Sequence, residues 1–256
     1  MPEGPEVRRE AVRIAKVIAG QPLEAVFFGQ PHMKTAADAL DGAQVRSVQT
    51  HGKAMLTHFD NGYTVYSHNQ LYGKWFVRRR EREVNTNRQL RFGLYTKTHC
   101  ALLYSASSIE LWETDQLNEH PFLSKLGPDV LDETLPWREV AKRLERPQFN
   151  RRALSSLYLD QGFLAGIGNY MRSARGQLGK LARETLKISQ RAYATAGTTN
   201  APGEVARMRR QGLARRDYRF AVFDRDGRPC LQCKARIKKI IASRRLYYCP
   251  GCQGQA

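Results

Sequence analysis

Four of the five cysteines fall in the last 27 residues, as Cys230-Leu-Gln-Cys233 and Cys249-Pro-Gly-Cys252 with 15 residues between the pairs. Two C-x2-C knuckles at this spacing aim four thiolates at one centre. That is the donor set of a closed tetrahedral Zn2+ site, which has no open position for substrate and is therefore structural. The competing reading is a redox dithiol pair, but such motifs normally come singly on a βαβ unit. At the other end the chain begins Met1-Pro2-Glu3-Gly4-Pro5-Glu6. Removal of Met1 would leave Pro2 as a secondary α-amine with a pKa near ~8. Such an amine can attack a sugar C1′ and pass to a cationic iminium, an electron sink. Glu3 beside it is placed for general acid–base work. The bland alternative is a helix start, since Pro and Glu both suit a first helical turn.

The elements around these residues follow from hydrophobic period. Pro5–Ala19 reads as an amphipathic helix, with Val7, Ala11, Ile14, Val17 and Ile18 at helical spacing and Gly20 as its stop. From Pro22 to Trp112 short β-branched and aromatic runs predict an antiparallel sandwich or barrel. The clearest strands are Ala25–Phe28, Ala54–Phe59, Tyr63–Ser67, Lys74–Val77, Arg91–Tyr95 and Ala101–Tyr104, with a hairpin signal at Asp60-Asn61-Gly62. Cys100 lies in one of these apolar runs and reads as a core residue. Helical patterning returns from Thr114-Asp115, a capping signal, and continues at Leu135–Leu144 and Arg152–Leu159. Thr195–Arg219 is polar and rich in Gly and Arg, and reads as a linker or mobile loop. Between the cysteine pairs, Arg236–Ala242 and Leu246–Tyr248 predict a metal-held β-hairpin with arginines at its tip.

Composition bounds the partner. The 256 residues carry 42 Lys+Arg against 24 Asp+Glu, a net charge of +18, and 14 of the basic residues against 4 acidic ones fall in residues 201–256. An excess of this size points to a polyanion, most simply nucleic acid, with a merely solvated basic surface as the alternative. No run approaches the ~18 consecutive apolar residues of a membrane span, and the charged start is not a signal peptide. The expectation is a cytoplasmic protein with no membrane partner, in a reducing compartment where clustered thiols take metal.

The opening Met-Pro-Glu-Gly-Pro-Glu, the tail cysteine hairpin, Leu126-Gly-Pro-Asp129 and Leu159-Asp-Gln161-Gly-Phe-Leu-Ala-Gly166-Ile-Gly168-Asn169-Tyr-Met-Arg172 together resemble the formamidopyrimidine-DNA glycosylase/endonuclease VIII family. Gly4, His51-Gly52-Lys53 and Ser67-His-Asn-Gln-Leu-Tyr-Gly73 are more similar to the endonuclease VIII branch of it. The resemblance covers roughly residues 1–172 and 218–254. It implies that Pro2 is a Schiff-base nucleophile, Glu3 the proton donor for base release, Lys53 a proton donor in β-elimination, and Arg244 the hairpin-tip arginine of δ-elimination. Lys53 is expected in the strand after His51-Gly52; without the resemblance it would read as a strand-edge surface lysine. Arg244 without it would be a phosphate contact, and Arg245 is adjacent. Gln70, Leu71 and Tyr72 match the loop that fills the gap left by an extruded base, where ordinary turn packing is the alternative. Asn169 and Lys125 match DNA contacts, Lys125 standing where the endonuclease VIII branch usually has arginine. The chain departs from the family at Arg172-Ser173-Ala174-Arg175-Gly176, where Ala174 occupies a glutamate position and the stretch to Thr195 is shorter and poorer in apolar residues.

The expected fold is therefore α+β and multidomain: an N-terminal helix with an antiparallel β-sandwich (1–122), a helix–two-turns–helix DNA-binding domain with a variable linker (123–217), and a four-cysteine zinc β-hairpin (218–256). DNA is expected in a basic cleft between domains. The expected activity is that of a bacterial, nucleoid-associated base-excision enzyme acting as a monomer on double-stranded DNA with oxidised bases or abasic sites. It would remove oxidised pyrimidines and nick the strand by β,δ-elimination. An oxidised-purine glycosylase and a non-catalytic, zinc-dependent damaged-DNA-binding protein are the alternatives.

Overall fold

The computed structural model describes residues 2–168, 178–241 and 245–253. The chain divides into two compact units, 1–126 and 127–256. In the first, helix α1 (Gly4–Ile18) opens on a capping box. The Glu6 carboxylate accepts the Glu3 N–H at 3.1 Å, and the Glu3 side chain accepts the N–H of Glu6 in return. Val7, Ala11, Ile14 and Ile18 form its buried stripe, each at most 1 % exposed. The chain leaves the helix through Gly20, whose φ of +68° lies in the left-handed region that a side chain would disfavour.

Eight strands follow: β1 (Leu23–Phe28), β2 (Val45–His51), β3 (Ala54–Phe59), β4 (Tyr63–His68), β5 (Lys74–Arg79), β6 (Leu90–Thr96), β7 (His99–Tyr104) and β8 (Ser108–Glu113). They form two four-stranded sheets, β1-β6-β7-β5 and β2-β3-β4-β8, in which every pairing is antiparallel. One core joins both sheets to α1: Phe28, Trp75, Phe92 and Leu103 come from the first sheet, and Val45, Met55, Phe59 and Val65 from the second. This is the expected helix-plus-sandwich. Asp60-Asn61-Gly62 turns β3 into β4, with Gly62 at φ +87°. Cys100 is buried. Period alone did not single out β2, which carries the polar Arg46, Ser47 and Gln49, or β8. Nor did it separate the 3-10 turn Pro31–Met33 and the short helix α2 (Lys34–Asp38) from the β region. Thr114 begins a 3-10 turn, Thr114–Glu119, instead of capping a helix.

The second unit is helical around Val140, Leu144, Phe149, Phe163, Ile167, Leu181 and Leu186. Its helices are α3 (Trp137–Glu145), α4 (Pro147–Asn150), α5 (Leu154–Leu157), α6 (Leu178–Ala194), α7 (Pro202–Arg210) and α8 (Arg215–Tyr218). The stretch Arg152–Leu159 yields only the short α5. The linker expected over Thr195–Arg219 is corrected: it is folded, holding α7 and α8 with Met208 and Tyr218 buried. Several of its polar side chains bond backbone carbonyls. Asn200 Nδ2 donates to the Tyr218 carbonyl at 2.8 Å, and Arg219 Nε to the Gly197 carbonyl at 3.1 Å. The unit ends in an antiparallel hairpin, β9 (Lys238–Ile241) and β10 (Arg245–Tyr248), and the short α9 (Pro250–Gln253). Among the described residues no helix is long and apolar enough to cross a membrane.

Candidate active site and metal centre

Pro2 is half-buried and immediately precedes Glu3, the N-cap of α1, which is 5 % exposed. The partial positive charge of a helix N-terminus favours a carboxylate there. About one and a half turns along, α1 reaches the second sheet: Arg8 Nε donates to Thr50 Oγ1 at 2.6 Å and Arg8 Nη2 to the Thr50 carbonyl at 3.4 Å. Thr50 is one residue from the end of β2.

His51 pairs with Ala54, so Gly52 and Lys53 form a two-residue hairpin turn, with Gly52 at φ +62° as such a turn requires. Lys53 is thus in the turn, not in the strand. It is also 4 % exposed, which corrects the surface-lysine alternative. The neighbouring register brings a third element in: Ala54 pairs with His68, the last residue of β4. Burial, and secondarily the charge of Lys53, hold the His68 imidazole down to about 4. His68 Nδ1 accordingly accepts the Gln70 N–H at 3.0 Å. Beyond it, Leu71 and Tyr72 are 62 % and 67 % exposed, which sets aside turn packing as their role.

The start of α1, the Lys53 turn and the Gln70–Tyr72 loop are therefore linked through adjacent residues of one sheet. Lys125 is exposed at the end of the 3-10 turn Leu123–Lys125, whose Leu123 clusters with Ala54 and Tyr66. Asn169, Ala174 and Arg244 lie outside the described residues. The turn leading to Asn169 is bracketed by Gln161. Its Oε1 accepts the Gly166 N–H at 3.1 Å, and its Nε2 donates to the Ile167 carbonyl at 3.0 Å. Arg143 donates to the carbonyls of Phe163 and Gly162 at 2.9 and 2.7 Å. Sequence reasoning passed over Thr50, His68, Gln161 and Arg143. The quoted motifs Ser67–Gly73 and Leu159–Arg172 carried a signal that could have found His68 and Gln161; nothing local marked Thr50 or Arg143.

The four tail cysteines place their Sγ atoms within 4.8 Å of one another. Backbone N–H groups of Gln232 and Cys252 point at Cys230 Sγ and Cys249 Sγ, each at 3.4 Å. Burial raises the Cys230 thiol, but the N–H groups of Cys233 and Gln232 outweigh it and bring it down to about 7. Cys252 is pushed up to about 12, first by its hydrogen bond with the Cys233 thiol and then by desolvation. One thiolate therefore forms readily, and further ones need a compensating cation. A Cβ at Gly251 would come 2.8 Å from Cys233 Sγ, so the second knuckle closes tightly only with glycine there. The cluster can hold a metal ion.

Comparison with known proteins agrees. The family model described as Formamidopyrimidine-DNA glycosylase N-terminal domain matches residues 1–115. Endonuclease 8 of Escherichia coli (strain K12 / DH10B) is 44% identical over 271 residues, covering 99% of this chain and 100% of that protein. Endonuclease 8 of Shigella flexneri gives the same identity and coverage. Among solved structures, Lactococcus lactis Fpg in complex with DNA containing an oxidised pyrimidine superposes with a TM-score of 0.78 at 20% identity, over 99% of this chain and 100% of that one. The same protein in a complex with DNA containing an abasic site does so with a TM-score of 0.78 at 19% identity, over the same shares. The chain belongs to the formamidopyrimidine-DNA glycosylase/endonuclease VIII family, whose members are bifunctional DNA glycosylases and AP lyases.

Proposed function

We propose that this DNA glycosylase excises an oxidised pyrimidine from double-stranded DNA and then nicks the strand by β,δ-elimination through a covalent Pro2 intermediate. The observation that carries this reading is the placement of Pro2 and Glu3 at the head of α1, tied through Arg8 and Thr50 to the turn that buries Lys53. In the proposed reaction the Pro2 nitrogen attacks C1′ as Glu3 protonates the departing base. Ring opening gives an iminium, which acidifies the C2′ hydrogens. Loss of a C2′ proton expels the 3′ phosphate, with Lys53 the proton donor of this step, and Arg244 assists loss of the 5′ phosphate.

The 4 % exposure of Lys53 supports that role, because a side chain held in place by its surroundings can present a proton at a fixed position. Gln70, Leu71 and Tyr72 fill the gap left by the extruded nucleotide, and their exposure supports it. Lys125 and Asn169 contact phosphates. The cysteine cluster takes one structural Zn2+, which supplies folding energy to a hairpin too short to have a large core of its own. The working unit is a monomer acting on nucleoid DNA, with functional divisions at 1–122, 123–217 and 218–256. The pyrimidine preference is what the resemblance to the endonuclease VIII branch implies, and the 44% identity to Endonuclease 8 supports that branch.

Borohydride reduction in the presence of abasic-site DNA tests the mechanism. The expected product is a covalent adduct whose proteolytic peptide carries deoxyribose on the Pro2 nitrogen. An adduct mapped to a lysine, or strand cleavage by chains that keep Met1 or an acetylated N-terminus, overturns it.

A further inference from the structure

Asn69 is the residue on which the exposed Gln70–Tyr72 loop is mounted, and it is 3 % exposed. Its side-chain amide donates to Glu10 Oε2 at 2.8 Å. Its carbonyl accepts the Gly73 N–H at 2.7 Å, closing residues 69–73 into a single tight turn. A Cβ at position 73 would sit 2.5 Å from that same carbonyl, so the turn closes only around glycine. Gln70, at φ +49°, is held from the other side: Ser107 Oγ donates to its Oε1, and the Ser107 carbonyl accepts Gln30 Nε2 at 2.9 Å. The base of the loop is thus stiff, and its bond to α1 runs through Glu10.

Glu10 lies seven residues, about two helical turns, beyond Glu3, so the two positions share one side of the α1 axis. Burial pushes the Glu10 carboxyl up, while the Asn69 hydrogen bond pulls it down. A charge-assisted hydrogen bond in such a partly desolvated place is stronger and more directional than one at the surface. The same helix therefore presents the proposed nucleophile at its head and grips the root of the proposed inserting loop two turns later.

We propose that Glu10 and Asn69 form a positioning pair that holds the inserting loop in register with the Pro2 end of α1, and so sets efficiency on paired DNA without setting the chemistry. This rests on the reading of Leu71 and Tyr72 as the gap-filling wedge. The consequence is selective. A wedge is needed when a base must leave a stacked duplex and is dispensable when the same lesion lies in a single strand. Misplacing the loop therefore costs activity on one substrate and not on the other.

The test measures kcat/KM of the full-length protein on one lesion-containing oligonucleotide, annealed and single-stranded, for Glu10→Ala, Asn69→Ala and Glu10→Gln. Glu10→Ala and Asn69→Ala are expected to lose about tenfold on the duplex, the scale of a hydrogen bond to a charged group. On the single strand they should stay within about twofold of the unaltered chain. Glu10→Gln, whose amide oxygen still accepts from Asn69, is expected to recover most of the duplex rate. An equal loss on both substrates reduces the pair to ordinary support of the fold and overturns the proposal, as does no loss on either. Leu71→Ala/Tyr72→Ala separates the two layers of the argument. Full duplex activity in that double variant overturns the wedge reading and the proposal with it, whereas a loss there with none in Glu10→Ala overturns the positioning pair alone.

Discussion

The two units divide charge and chemistry unequally. Residues 1–126 hold 16 Lys+Arg against 13 Asp+Glu, a net +3, while residues 127–256 hold 26 against 11, a net +15. The nearly neutral unit contains Pro2, Glu3 and Lys53, on elements joined by part-buried hydrogen bonds: the capping box, Arg8 to Thr50, and Asn69 to Glu10. The strongly basic unit keeps Arg209, Arg210, Arg215 and Arg216 exposed. Holding a polyanion needs many charges of one sign that remain hydrated and exchange counterions. Chemistry on one nucleotide needs few charges, desolvated and fixed in place. On the proposed function, one chain would supply both from two separate cores.

The comparison breaks first at Lys53. Lys53→Ala is expected to slow strand cleavage of preformed abasic-site DNA by about 10²- to 10⁴-fold, the usual scale for a positioned proton donor. DNA affinity, read by fluorescence anisotropy, should barely move, and a parallel loss of affinity would assign Lys53 to binding. The converse applies to the second unit. Cys249→Ser, or prolonged chelation, should remove the bound metal and weaken DNA binding well beyond what any single arginine does, because the hairpin loses its fold. Metal analysis alongside titration of DNA checks this; retained affinity in metal-free protein would show the hairpin to be dispensable.

A smaller effect is expected from Arg215→Ser/Arg216→Ser. If both arginines meet phosphates, the slope of log K against log salt should fall by about 0.9 for each contact, whereas removing a first-unit charge other than the proposed phosphate contact Lys125, such as Arg46, leaves the slope nearly unaltered. The smallest effect concerns His68. Its folded pKa of about 4 lies below the ordinary value of 6.5, so the unfolded chain binds the extra proton first. Its contribution to stability is complete above pH 6.5 and is lost as pH falls toward 4, at most roughly 3 kcal/mol. Protonation would also remove the acceptor for the Gln70 N–H. Denaturation midpoints measured across this window should flatten in His68→Gln; an unchanged pH dependence would place the titrating group elsewhere.

Much of the framework was readable in the chain itself, wherever the signal was local. The 3.6-residue stripe Val7, Ala11, Ile14 and Ile18 specified α1 to within one residue, because side chains close in sequence share a helix face. The cysteine spacing specified a four-thiol cluster, since each knuckle is a short turn whose geometry its own residues determine. The alternating apolar runs specified six strands, yet not their pairing order, which depends on contacts made across the sheet.

What tertiary structure alone decided was the environment of polar groups. Nothing near Lys53 in the sequence says that it is buried; that follows from a turn closed by Gly52 and packed beside His68. Nothing in Thr195–Arg219 distinguishes a solvated linker from a folded segment, because an arginine reads the same whether its donors meet water or, as in Arg219, a backbone carbonyl. Glu10 and Asn69 are 59 residues apart, and only the folded chain makes them one hydrogen bond. Local periodicity records which face of an element is dry. The partners of a polar side chain are chosen by chain segments remote in sequence, and that information exists only once the core has brought them together.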